Sequence, residues 1–158
     1  MPLSFRAVRT EDIPLICTFP QSEDELYYMY PKASFPLSHS QLQEAIEQRA
    51  DSTVIELDGQ VVGFANFYHC EDGGRCSLGN VIVSPAARGK GVARYLVERM
   101  IEIALDKHQA SEVTLSCFNQ NVPGLLLYPQ LGFVPFAIEE RRNKQGERVA
   151  LIHMRLQR

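Results

Sequence analysis

Hydrophobic and polar residues follow two spacings along the chain, one typical of β-strands and one typical of α-helices. β-branched and aromatic residues gather in short runs, some of which alternate with polar residues, as expected for strands. Asp58-Gly59 separates two such runs and predicts a tight hairpin turn. The predicted strands are Ser4–Arg9, Thr53–Leu57, Val61–Tyr68, Cys76–Ser84, Glu112–Phe118, Phe133–Phe136 and Val149–Met154.

Apolar residues recur three or four positions apart in other segments, which predicts helices. The longest predicted helix carries Val92, Leu96 and Met100 on one stripe, and we expect this stripe to pack against a sheet. The segment Phe19–Pro36 contains three prolines and is predicted to be irregular. The predicted helices begin at Thr10, begin at Ser38 or Ser40, extend from Gly89 to Lys107, and extend from Val122 to Leu131.

The order of these elements predicts an α/β fold of the mixed kind. Strands joined by short turns pair antiparallel, whereas the long helix forces a crossover that places two strands parallel. We therefore expect a central, mixed, mostly antiparallel sheet of about 6–7 strands, with helices on both faces.

The composition is that of a soluble globular protein. A length of 158 residues suits one domain, residues 1–158, and 45% of the residues are hydrophobic and 22% charged. The net charge of −3 argues against a nucleic-acid partner. No apolar run approaches the ~20 residues of a membrane span, and the first residues lack a signal peptide's apolar core. We expect a cytoplasmic protein without a membrane partner, and the spacing of the four cysteines fits no metal site.

A glycine-rich turn, Arg88 to Ala93, connects a predicted strand to the long helix. Such a junction directs several backbone N–H groups and the positive end of the helix dipole at one spot, which binds a diphosphate well. Gly89 and Gly91 remove side chains that would keep the phosphates away, while Arg88 and Lys90 add positive charge. The turn is therefore a candidate site for the pyrophosphate of a cofactor.

Two motifs together resemble a known family, the GCN5-related N-acetyltransferases (GNAT superfamily). The turn Arg88–Ala93 matches the family's Q/R-x-x-G-x-G/A motif at every fixed place. The segment Asn121–Phe133 is similar to the family's N-x-x-A-x-x-L-Y-x-x-x-G-F segment. It departs from that pattern at Gly124, where alanine is usual, and at Pro129, which we expect to shorten or bend the helix near Tyr128.

The resemblance implies a GNAT-like fold and direct transfer of an acetyl group from acetyl-CoA, without a metal, in a ternary complex. The acceptor would be a primary amine of a small molecule, an amino acid or a peptide. Tyr128 is the candidate general acid for the departing thiolate. A backbone N–H near Val81 or Ile82 would polarise the thioester carbonyl. The resemblance assigns acetyl-CoA to Val81, Ile82, Val83, Arg88, Gly89, Lys90, Gly91, Val92, Ala93, Asn121 and Tyr128.

The acceptor site is expected in the connection after the first strand, because the family builds it largely there. Glu25, Tyr27, Tyr28 and Tyr30 are the candidates, through charge and cation–π contacts with an amine. The general base stays open because the strand before the glycine turn carries no acid. Its candidates are His69, Glu71, Asp72, the acids at 23–25 and ordered water, whereas His39, His108 and His153 are interpreted as structural.

Two other functions remain as alternatives. The missing strand carboxylate and the prolines around Tyr128 also fit a non-catalytic acyl-CoA-binding or sensor module on the same fold. A mononucleotide phosphate loop is disfavoured, because the turn lacks the G-x-x-x-x-G-K-[ST] spacing. Members of the resembled family often dimerise, so a homodimer is a further expectation.

Overall fold

Seven strands and five helices make up the computed structural model, which describes residues 2–157. Short 3₁₀ turns at Thr10–Asp12 and Pro85–Ala87 precede the first and fourth helices, and a π-helical turn, Ile103–Lys107, extends the fourth. In chain order the elements are β1 (Leu3–Ala7), α1 (Ile13–Ile16), α2 (Glu23–Met29), α3 (His39–Gln48), β2 (Ala50–Leu57), β3 (Gln60–Cys70), β4 (Arg75–Val83), α4 (Val92–Glu102), β5 (Glu112–Phe118), α5 (Val122–Gln130), β6 (Phe133–Arg142) and β7 (Arg148–Leu156).

The strands form one sheet in the order β1-β2-β3-β4-β5-β7-β6. The pair β4 and β5 is parallel, since α4 carries the chain across a face of the sheet between them, and the five other pairs are antiparallel. This confirms the predicted mixed, mostly antiparallel sheet. The hairpin between β2 and β3 is also confirmed, with positive φ angles of 52° at Asp58 and 77° at Gly59.

Each face of the sheet is covered by a separate hydrophobic cluster. On one face Leu96 and Met100 of α4 pack in a cluster with Leu78 of β4 and Leu115 of β5. On the other face α1–α3 cover the sheet, and Leu42 of α3 belongs to the cluster on that side. These two clusters place the neighbouring ends of β4 and β5 between helical layers, where the candidate site lies.

Two sequence predictions were wrong in extent or kind. The segment Phe19–Pro36, predicted to be irregular, contains α2, which Ser22 caps by accepting the N–H of Glu25 at 3.1 Å. The strand β6 extends to Arg142, well beyond the predicted end at Phe136; the sequence did not indicate this length because every residue of β6 after Phe133 is exposed and the strand lacks an apolar period. Among the described helices, none combines the length and apolar character that a membrane crossing requires.

Candidate active site

The candidate site is a cavity of about 540 Å³ where β4 and β5 separate. The recorded parallel pairing ends at Leu78↔Leu115, and residues beyond this pair on both strands line the cavity. Ser84 donates its N–H to Val62 O on the β3 side at 2.8 Å. The backbone N–H and C=O groups of successive residues point to opposite edges of a strand. Those of Val81 and Val83 therefore point toward the gap, whereas those of Ile82 point toward β3. The gap can therefore accept an extended chain as an added strand.

A β-bulge at Asn80 shapes the edge of this gap. Asn80 has a φ of 53°, and the pairing with β3 shifts by one residue at this point. Its side chain is buried, with Oδ1 accepting from Nδ2 of Asn66 at 2.9 Å and Nδ2 donating to Met29 O at 2.8 Å. These hydrogen bonds hold the unusual backbone conformation and tie the end of α2 to β4.

The glycine-rich turn before α4 is open and holds its glycines in the left-handed region. Gly89 has a φ of 78° and Gly91 a φ of 79°, and a Cβ at either position would meet nothing within 4 Å. The backbone conformation therefore favours glycine here, and the surface stays free for an anion. Gly91 is the N-cap residue of α4, so the first N–H groups of this eleven-residue helix face the turn.

Arg88 of this turn forms a bidentate ion pair with Glu25 of α2. Nη1 lies 3.0 Å from Oε2 and Nη2 lies 2.9 Å from Oε1. The hydrogen bonds from Arg88 lower the pKa of Glu25, so the carboxylate stays ionised at neutral pH. The pair joins the glycine-rich turn to α2, whose last residues line the cavity.

Tyr128 lies on α5 at the cavity wall and is 7% exposed. Burial, with a further contribution from Cys117, raises the pKa of its phenol well above the usual value, so the group stays protonated at neutral pH. None of the hydrogen bonds among residues 2–157 involves this hydroxyl, which leaves its proton available for a bound molecule. Pro129 follows it in the last turn of α5, and the helix continues to Gln130.

The start of α5 explains why glycine stands at position 124. Asn121 caps the helix, with Oδ1 accepting the N–H of Gly124 at 3.3 Å. A Cβ at Gly124 would lie 2.9 Å from Nδ2 of Asn121, 3.0 Å from Sγ of Cys117 and 3.0 Å from Cε2 of Tyr128. The missing side chain therefore allows Cys117 and Tyr128 to pack against the helix backbone.

A second polar group, on β5 and β7, faces the same cavity. Ser116 and His153 are directly paired across these strands, and both line the cavity. Oγ of Ser116 lies 2.7 Å from Nδ1 of His153, whose Nε2 lies 2.8 Å from Oε1 of Glu139. A proton leaving the cavity at Ser116 would thus find an imidazole, and behind it a carboxylate.

Arg49, between α3 and β2, supplies a largely buried positive charge to the cavity. Its Cζ lies 5.2 Å from the ring centroid of Tyr30 and 5.9 Å from that of Tyr68. Nη1 donates to Oδ1 of Asn66 at 3.3 Å. Burial lowers the pKa of the guanidinium, although it remains charged at neutral pH.

The model of the acetyltransferase (GNAT) family matches residues 16–133, which cover α2 to the start of β6 and so include the glycine-rich turn, Arg49, Ser116 and Tyr128, whereas Glu139 and His153 lie beyond the matched range. The chain belongs to this family. The matched range includes both the glycine-rich turn and the Asn121–Phe133 segment, so the resemblance predicted from these motifs is confirmed.

Individual relatives agree with this assignment. Streptothricin acetyltransferase of Streptomyces lavendulae is 30% identical over 79 residues, which are 50% of this chain and 41% of that protein. The chain thus aligns with less than half of that relative's length. The yncA protein of Salmonella typhimurium, solved with its cofactor acetyl-CoA, has a TM-score of 0.78 at 22% identity, covering 99% of this chain and 94% of that one.

A second solved structure has the same fold. Spermidine N-acetyltransferase of Vibrio cholerae, solved with CoA and spermine, superposes with a TM-score of 0.83 at 18% identity. The match covers 98% of this chain and 94% of that one. At such identities the structural likeness establishes the GNAT fold alone.

The GNAT fold brings some of the predicted acceptor residues to the cavity and places others elsewhere. Tyr28 and Tyr30 line it. Tyr27 instead stacks on Phe118 at a centroid distance of 4.5 Å and donates its hydroxyl hydrogen to Arg142 O at 3.1 Å. Glu25 does not line the cavity, and its carboxylate is paired with Arg88 of the glycine-rich turn. The cavity residues that the sequence did not suggest for the site include Arg49, Tyr68 and Ser116, which no local pattern distinguishes, and His153, which was interpreted as structural.

Proposed function

We propose that the protein transfers the acetyl group of acetyl-CoA directly to a primary amine of a small molecule or peptide, in a ternary complex. The observation that carries this proposal is Tyr128, a buried and protonated phenol that faces the gap between β4 and β5. Membership of the GNAT family and the acetyl-CoA bound in the yncA structure support it. We further propose that residues 1–158 act as one domain.

Acetyl-CoA would lie across the gap, with its pyrophosphate at the start of α4. The free backbone groups of Val81 and Val83 suit the pantetheine arm, which carries amides that can pair like an added strand. The left-handed glycines and the N-terminal N–H groups of α4 suit the pyrophosphate. The residues that we propose for the cofactor are Val81, Val83, Arg88, Gly89, Lys90, Gly91, Val92, Ala93, Asn121 and Tyr128. Ile82, expected from the sequence, is left out because its backbone groups face β3 and its side chain is buried in the cluster beneath α1–α3.

Attack of a neutral amine on the thioester carbonyl forms a tetrahedral intermediate, which collapses by expelling the CoA thiolate. A thiol has a pKa near ~8.5, so protonation assists its departure at neutral pH. The raised pKa keeps Tyr128 protonated until the thiolate forms, and the phenol then donates its proton to sulfur. Asn121 and the tight packing around Gly124 hold Tyr128 in place for this step.

The amine must lose a proton before or during attack, since an alkyl amine has a pKa near ~10.4. We propose that Ser116 Oγ accepts this proton while passing its own to Nδ1 of His153, 2.7 Å away. Glu139, 2.8 Å from Nε2, stabilises the resulting imidazolium. This relay supplies the function of the carboxylate that β4 lacks.

The decisive experiment compares wild-type protein with Tyr128→Phe for acetyl-CoA binding and for thiol release with a panel of amines. We expect Tyr128→Phe to lower kcat about 100-fold or more, because it removes the proton donor, while the calorimetric Kd for acetyl-CoA changes little. Gly91→Glu is the matched control, since it places a side chain and a negative charge at the pyrophosphate turn and should abolish binding.

The same measurements separate catalysis from the alternative of a sensor module. Tight acetyl-CoA binding without acetylation of any amine would favour the non-catalytic module. Unchanged turnover in Tyr128→Phe would remove Tyr128 from the mechanism while leaving the acetyltransferase function in place.

A further inference from the structure

The cavity that would receive the acceptor has an unusual charge distribution. Among the described residues that line it, Lys32, Arg49, Arg141 and His153 are basic, and none is an aspartate or a glutamate. The acids of α2 that the sequence suggested for binding a cationic amine do not line it. A protonated amine therefore finds no carboxylate partner on the wall itself.

Arg49 is the member of this set that lies between aromatic rings, and it shares with Lys32 the lack of an acidic partner among the described residues. Arg141 lies 3.1 Å from Glu139, which balances its charge, and His153 lies 2.8 Å from the same carboxylate. Arg49 has no such partner within residues 2–157, where its recorded hydrogen bond is the one to neutral Asn66. A guanidinium has five N–H donors, so four remain for a ligand.

The position of Arg49 places this unpaired charge beside the reacting region. A Cβ at Gly79 would lie 3.1 Å from Nη1 of Arg49 and 2.8 Å from Cδ1 of Tyr68. Gly79 directly follows Leu78, the last β4 residue paired with β5. The glycine thus leaves room for the guanidinium at the base of the gap, where it lies beside the rings of Tyr30 and Tyr68.

We infer that Arg49 is the anchor of a carboxylate-binding subsite, and that the acceptor is a primary amine carrying a carboxylate, as an amino acid does. The planar guanidinium matches a carboxylate through two parallel hydrogen bonds, and partial burial strengthens them. Burial lowers the pKa of Arg49 because it removes water from the guanidinium at a cost in free energy. A bound carboxylate would offset that cost. This inference rests on the proposed acetyl transfer, whose acceptor it specifies.

The test uses matched acceptors with wild-type protein and acetyl-CoA, measured by thiol release. Each set comprises an amino acid, its amide and its decarboxylated amine, for example phenylalanine, phenylalaninamide and phenethylamine, repeated with leucine and methionine. The amide separates charge from basicity, because an α-amine beside an amide has a pKa of about 7.7–8.0 and is the most deprotonated of the three. We expect kcat/KM for the best amino acid to exceed that for its amide by at least about 30-fold.

Arg49→Gln should reduce that preference to within about threefold, mainly through KM for the amino acid, with little change for phenethylamine. Arg49→Lys keeps the charge but loses the bidentate geometry, and should retain part of the preference. Calorimetric Kd values for acetyl-CoA should stay unchanged in both variants, which also shows that they fold. The wild-type comparison among the three acceptors needs no variant at all.

Two failures can be told apart. If amides and plain amines react as well as amino acids, and Arg49→Gln changes nothing, the carboxylate subsite is wrong and the acetyltransferase function stands. If no amine reacts, the amino acids are titrated into CoA-loaded protein. If the amino acids bind, the amides do not, and Arg49→Gln removes the binding, the carboxylate subsite is retained while the proposed catalysis fails. If the amino acids bind no more tightly than their amides, the carboxylate subsite is wrong.

Discussion

Replacement of Gly124 by alanine measures how closely α5 holds the candidate acid Tyr128. The new Cβ would lie 2.9–3.0 Å from atoms of Asn121, Cys117 and Tyr128. Optimal separations between such atoms are about 3.5–4.0 Å, so the three side chains together must move away by about 0.5 Å. Asn121 and Cys117 have little freedom, because one caps the helix and the other is buried in the core.

The expected magnitudes follow from these distances. Alanine in place of a helical glycine stabilises the helix by up to about 1 kcal/mol, whereas overpacking of a core costs about 1–3 kcal/mol. We therefore expect Gly124→Ala to lower the free energy of unfolding by about 1 kcal/mol. A misplacement of 1 Å can cost about 100-fold in rate, so a shift of Tyr128 by about half that distance should lower kcat about tenfold.

Urea denaturation followed by far-UV circular dichroism gives the stability, since the chain contains no tryptophan. Thiol release gives kcat. The double variant Gly124→Ala/Cys117→Ala removes Sγ and should recover part of both losses, with a coupling energy of about 1 kcal/mol. Leu126→Ala is the matched control, because its side chain is 64% exposed on the same helix and should leave kcat unchanged.

The reasoning would be refuted if Gly124→Ala were as stable as wild type and turned over acceptor at the same rate. An effect that is identical with and without Cys117 would refute it in part. The crowding would then lie elsewhere than at the sulfur atom, and glycine at this position would have another cause.

Three further predictions concern proton transfer, cofactor binding and stability. His153→Gln should lower kcat/KM about 100-fold at pH 7, and much less near pH 10, where alkyl amines with a pKa of ~10.4 lose their proton unaided; an equal deficit at both pH values would contradict the relay. Glu25→Gln should tighten acetyl-CoA binding about two- to fivefold in calorimetry, because Arg88 is released from a partly exposed pair; weaker binding would show that the pair supports the site. The hydrogen bond to Asp72 raises the pKa of His108. The protonated histidine therefore stabilises the folded state fully below about pH 6.5, and this stabilisation is lost as the pH rises through the raised pKa. Urea denaturation at pH 6 and pH 9 should show this decline in wild type and not in His108→Gln.

Most of the sheet could be predicted because its strands carry their own signals. The bounds of β5 agree with the prediction, and the Asp58-Gly59 turn fixes the hairpin of β2 and β3. The helix α2 also had a signal, since Ser22 followed three positions later by Glu25 is typical of a helix start, but the surrounding prolines outweighed it. No sequence signal indicated the length of β6, because its residues after Phe133 face solvent and the strand is defined by its pairing with β7.

The residues of the candidate site likewise include some that the sequence could predict and some that it could not. The glycine-rich turn and Tyr128 were predictable since each belongs to a short contiguous motif. Ser116 and His153 were not, because strand pairing brings together residues that lie 37 positions apart in the chain. Arg49 looks like an ordinary residue at the end of a helix, and only the folded sheet surrounds it with aromatic rings.

The two halves of the site share one buried support. Asn66, fully buried on β3, accepts from Nη1 of Arg49 and donates from Nδ2 to Oδ1 of Asn80. Asn80 in turn donates to Met29 O at the end of α2. A buried amide without hydrogen-bond partners is costly, so these contacts stabilise both asparagine side chains in the core. The bulge at the proposed cofactor edge, the end of α2 at the cavity and the proposed carboxylate anchor are thereby linked through Asn66, which gives a polar asparagine a structural role in the core of β3.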